Sequence, residues 1–171
     1  MATAVPGKES DTEVFRHQAR TTHTVVRLNV DGLTQEESLI QPAGGGNCLN
    51  WVLGHLLWVY DEMLPLLGQV PAMGKKALAR YARGSAPLQD PAEALDLGDL
   101  LAAWDEATQR VDAGLAGLTA AALDRPAPRN PSGNPNETIR SLLSTVFFHQ
   151  AYHAGQTGLL RRTAGRKGAI P

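Results

Sequence analysis

The chain has 171 residues, is 43% hydrophobic and carries a formal net charge of -1, which suits one globular domain able to bury a core without staples. Its basic residues form no run beyond a short tail (Arg161, Arg162, Arg166, Lys167), which argues against a nucleic-acid partner. The single cysteine, Cys48, forbids an internal disulfide and fits a reducing compartment, so a cytoplasmic location is expected. The opening residues, MATAVPGKESD, lack an apolar signal core. The longest apolar stretch, LNWVLGHLLWVY, is interrupted by Asn50, Gly54 and His55, well short of the ~20 residues of a membrane span, so no membrane partner is expected.

Four segments carry helical periodicity and almost none carries the alternation of a strand, so an all-α domain is predicted. The first helix opens on Ser10-Asp11-Thr12-Glu13, the pattern of a capping box, and runs to about Val30. The second starts near Asn47, after the break QPAGGG. Its stripe is Leu49, Val52, Leu53, Leu56, Tyr60, Met63 and Leu67, and Pro65 should disturb its end. Residues 68–95 are punctuated by proline and glycine and are long enough to return the chain to its starting end. Helices two and three can then run parallel, joined by a long crossover. The third helix is expected from Asp96 to Leu118, with Leu100, Leu101, Trp104, Ala107, Val111, Leu115 and Leu118 as its apolar face. After a connection with a short turn at Ala120 to Leu123, Asn134-Pro135-Asn136-Glu137 is read as the cap of a fourth helix reaching about Thr163. The product is a single four-helix bundle over residues 1–171.

The chemistry concentrates in the fourth helix, in "FFHQAYHAGQTGLLRR". His149 and His153 are four apart, so one helical face carries both imidazoles, on or beside the stripe of Ile139, Leu142, Leu143, Val146, Gln150, Thr157 and Leu160. Two buried imidazoles cannot both be charged without repulsion, and each needs a partner. A divalent cation meets both demands, and so do hydrogen bonds to carbonyls or water. His55, one turn from Val52 and Val59 at the edge of the second helix's stripe, is placed to face the fourth helix as a third ligand.

"NWVLGHLLW" (Asn50 to Trp58), followed some ninety residues later by "HQAYHAGQTGLLRR" (His149 to Arg162), resembles the paired signatures of the DinB/YfiT-like superfamily. The capped first helix, the GGGN lead into helix two and the long crossover agree, so the resemblance spans nearly the whole chain. It implies a four-helix bundle whose central site holds a divalent metal, zinc or nickel, on His55, His149 and His153. It also implies, more loosely, thiol-dependent transferase or isomerase chemistry with a low-molecular-weight thiol and a small-molecule substrate. A homodimer is expected as well. Three imidazoles leave a coordination position open, as in catalytic zinc sites. A non-catalytic metal-binding module for stress response or interaction, and a metal-dependent hydrolase, are the alternatives. The absence of an obvious general base favours a thiol over water.

Other residues have plainer readings. Cys48 and Glu62 lie seven positions either side of His55 on the same face, but roughly 10.5 Å along the axis excludes them from its coordination shell. Cys48 reads as a buried filler rather than an activated thiol. Glu62 is either solvated or directed at the site, and Gln156 can orient a ligand through its amide. His17 and His23, six apart, fall on different faces with surface or boundary roles. Gly155 and Gly158 point to a close contact with a neighbouring helix or subunit. Trp51, Trp58 and Trp104 read as core or interface, and Gly44 to Gly46 as a flexible lead-in without the lysine of a phosphate loop.

Overall fold

The computed structural model describes residues 10–170. The opening segment up to Glu9, read above for its lack of a signal core, lies outside the described residues. The fold is all-α, with α1 (Asp11–Val30), α2 (Gln35–Ser38), α3 (Leu49–Met63), α4 (Leu97–Ala116), α5 (Ala120–Leu123) and α6 (Ile139–Thr163). No helix among the described residues is long and apolar enough to cross a membrane.

The long helices α1, α3, α4 and α6 form a ring in which α1 and α3 each pack against both α4 and α6. Side-chain contacts fix the directions. Arg16 and Arg20, early in α1, pair with Asp112 late in α4, while His23 meets Asp105, so α1 and α4 are antiparallel. Phe15 stacks on Phe147 and Asn29 donates to Thr157, so α1 and α6 are parallel. Asn50, at the start of α3, donates to the Leu95 carbonyl just before α4, and Gly114 near the end of α4 lies against Leu67 just past α3. Helices α3 and α4 therefore run in the same direction, and the segment between them carries the chain back.

That returning segment is held down by polar contacts. Asp61, buried at the end of α3, accepts backbone N–H bonds from Ala72, Met73 and Gly74 at 2.6, 3.0 and 2.7 Å. Leu78, Tyr81 and Leu88 then press onto the core. As a result α3 is buried all round from Leu49 to Leu57, whereas periodicity alone showed one stripe. A helix apolar on every side is a covered helix, and the crossover supplies the cover.

Element boundaries differ from expectation in physically clear ways. The Ser10 hydroxyl accepts from Glu13 N–H, but the Glu13 carboxylate pairs with Arg16 instead of completing a capping box. A complete capping box stands at Thr34 and Glu37, opening the unanticipated α2. The α3 helix begins at Leu49 and gives way to a 3₁₀ turn over Leu64–Leu67, at Pro65 as expected. Asn134 to Glu137 does not cap the last helix: the carbonyl of Glu137 accepts from Ala127 N–H at 2.8 Å and Ile139 N–H donates to Arg125 at 2.9 Å. These bonds hold the strand-like approach out of helical conformation, and α6 starts at Ile139 under a Thr138–Ser141 capping box. The glycine triplet is a defined turn, with positive φ at Gly45 and Gly46.

Candidate metal centre

Two helices bring three imidazoles to one point. The α6 stripe of Ile139, Leu142, Leu143, Val146, Gln150, Thr157 and Leu160 is wholly buried, which fixes the rotation of α6 and turns His149 and His153 toward α3. His55 projects from the middle of α3 and is itself buried. One nitrogen from each of His55, His149 and His153 lies within 4.8 Å of the others, and the Nε2 atoms of His55 and His149 are 3.2 Å apart. Two nitrogens bound to zinc at ~2.0–2.1 Å in a tetrahedral arrangement sit roughly 3.3 Å apart, so this spacing already suits a shared cation.

The protonation pattern suits one too. His55 donates its Nδ1–H to the carbonyl of Tyr81 at 2.8 Å, and His153 donates its Nδ1–H to the amide oxygen of Gln156 at 2.7 Å. Each bond pins a tautomer that leaves Nε2 bare, as the outer partners of metal-binding histidines do. His149 Nδ1 is buried without a hydrogen-bond partner among the described residues. Burial lowers the pKa of all three rings; that of His149 is pushed down to about 4, with the neighbouring His153 and His55 adding to the effect. The positive charge of Arg83 also disfavours protonation of His55 and His149. Near neutral pH the cluster is therefore three uncharged imidazoles with lone pairs available. A partly buried cluster of unprotonated donors fits a divalent cation.

The surroundings are aromatic. Trp51 and Trp58 stack on His55 at centroid distances of 4.8 and 5.7 Å, and Tyr152 meets His153 edge-on at 5.1 Å. Trp51 and Trp58 thus wall the site, while Trp104 is fully buried against Tyr60. Gly54 makes this packing available: a Cβ there would lie 2.2–2.5 Å from the Tyr81 ring. Tyr81 rests directly on the α3 backbone, presents its carbonyl to His55 and exchanges hydroxyl hydrogen bonds with Asn50 and Leu95.

The other residues singled out in the sequence are placed elsewhere. Cys48 sits buried at the start of α3, its thiol pKa raised by burial, which makes it a packing residue. Glu62 pairs with Lys75 at 2.7 Å and Arg129 at 3.0 Å, and so is neither freely solvated nor part of the cluster. His17 is exposed and His23 is half-buried on Asp105. Gly158 approaches Asn29 closely, but a Cβ on Gly155 would meet nothing within 4 Å, so among the described residues only one of that pair marks a tight contact. Tyr81, Asp61 and Arg83 were not anticipated. A glycine beside a histidine in mid-helix signals a close neighbour, but that neighbour comes from a loop of no regular pattern.

A family model for the DinB superfamily matches residues 6–157, a span that contains all three histidines and Gln156. The chain belongs to the DinB superfamily. The crystal structure of a conserved protein from Enterococcus faecalis shares the fold of this DinB-superfamily chain, with a TM-score of 0.70 at 15% identity over 90% of this chain and 96% of that one. No curated protein matches the sequence.

Proposed function

We propose that His55, His149 and His153 bind a zinc or nickel ion and that this DinB-superfamily protein is a metal- and thiol-dependent transferase acting on small electrophiles. The convergence of three neutral imidazoles from two helices carries the reading. Three protein donors are one fewer than closes a structural zinc site, and no Cys, Asp or Glu joins them among the described residues. What the bound cation supplies is Lewis acidity, which favours the thiolate form of a thiol that reaches it. The chain does the rest: Tyr81 and Gln156 hold two rings in their binding tautomers, while Trp51 and Trp58 keep the His55 side apolar. With no carboxylate in the cluster to act as a general base, an external thiol is favoured over water as the nucleophile, and a reducing cytoplasm suits such a thiol.

Thermal unfolding of the metal-loaded protein against a panel of low-molecular-weight thiols tests this, because a ligand specific for the folded state raises the melting temperature. A rise with at least one thiol, absent in metal-free protein, is expected. No rise with any thiol contradicts the transferase reading and leaves the metal-binding module. The proposed homodimer also has a supporting feature: on the outer side of α6, Phe148, Tyr152 and Leu159 are 74, 60 and 63% exposed, in one stripe with the open Gly155 between them.

A further inference from the structure

Arg83 sits on a loop clamped at both ends to the face of α3 that carries His55. At one end Tyr81 accepts the His55 Nδ1–H; at the other, Ser85 accepts the Trp51 Nε1–H at 3.1 Å and donates to the Arg80 carbonyl at 2.8 Å. Trp51 in turn stacks on the His55 ring. The backbone of Arg83 is thereby fixed two residues from the Tyr81 carbonyl that holds His55 and two from the Ser85 hydroxyl that holds Trp51. Nearby Arg80 is fully engaged, with Glu93, the Ala86 carbonyl and the Pro87 carbonyl as acceptors. Arg83, by contrast, is exposed and makes no hydrogen bond or ion pair among the described residues.

The charge balance of the centre gives this guanidinium its significance. The three ligands are neutral and the cluster contains no carboxylate, so a divalent cation there would keep its full charge with a further positive charge beside it. An anionic ligand relieves that excess, and the planar guanidinium fork matches a carboxylate in two-point geometry. We propose that Arg83 recognises a carboxylate on the thiol that occupies the histidine site, so that the cosubstrate is an anionic, carboxylate-bearing thiol. The inference rests on the thiol reading above.

Cobalt(II)-loaded protein tests it, since thiolate binding to cobalt is visible by absorption without turnover. The protein is titrated with 3-mercaptopropionate and with its neutral isostere 3-mercaptopropan-1-ol. The wild type is expected to prefer the carboxylate by on the order of tenfold, the scale of one charge-assisted hydrogen bond. Arg83→Gln is expected to lose the preference while binding the neutral thiol as before, and Arg83→Lys to keep part of it. Equal affinities in the wild type, or a preference that survives Arg83→Gln, overturn the inference and leave the thiol reading standing. If neither thiol changes the spectrum, the thiol reading fails and takes the inference with it.

Discussion

At the scale of single residues the imidazoles couple the site to pH. Folding pushes the His149 pKa down from its ordinary 6.5 to about 4, because burial and, after it, the two neighbouring imidazoles disfavour the cation. Between those values the unfolded chain holds the extra proton, so stability is retained above about 6.5 and lost as the pH falls toward about 4. Burial lowers the values for His55 and His153 as well, which adds in the same direction. Urea unfolding of the metal-free protein should give a lower midpoint at pH 5 than at pH 7.5, and His149→Leu should flatten the difference. Equal midpoints at the two pH values would remove this account of the cluster.

At the scale of elements, the site depends on how α3 is covered by the segment that follows it. Gly54→Ala puts a methyl into the Tyr81 ring, and overpacking of this kind costs about 1–3 kcal/mol. Because the displaced Tyr81 carbonyl also orients His55, metal affinity should fall on the order of 10–100-fold, measured by competition with a chelating dye. Unchanged affinity would show that this outer contact is idle. Asp61→Ala strips acceptors from three backbone N–H groups and should destabilise by about 2–4 kcal/mol in chemical unfolding, whereas a loss under about 1 kcal/mol would mean the crossover is held mainly by Leu78, Tyr81 and Leu88. Much of this framework was legible beforehand. The stripes of α3 and α6 predicted buried positions faithfully, because apolar spacing directly records which side of a helix loses water. The histidines were legible because helical spacing aligns His149 with His153. The start of α6 was not, since backbone bonds to Arg125 and Ala127 override the capping preference of Asn134. Nor were Tyr81, Asp61 and Arg83, whose partners meet through an irregular segment in which sequence spacing carries no distance information.

For the whole molecule, the ring of α1, α4, α3 and α6 buries a continuous core and leaves the outer side of α6 with large apolar groups in solvent. The C-terminal arginines are engaged: Arg161 donates to the carbonyls of Asn29 and Asp31, and Arg166 pairs with Glu37. They tie the end of α6 back to α1 and α2. If a second copy covers Phe148, Tyr152 and Leu159, sedimentation should report a dimer that Tyr152→Glu converts to monomer with the fold intact; a monomeric wild type would contradict the pairing. Metal binding requires the three imidazoles to act together as one site. Metal content of protein purified without an affinity tag, measured by elemental analysis for the wild type and for His55→Ala, His149→Ala and His153→Ala, tests that most directly. Close to one divalent ion per chain in the wild type and loss of it in every folded variant is predicted, and equal metal in the wild type and the three variants would contradict it.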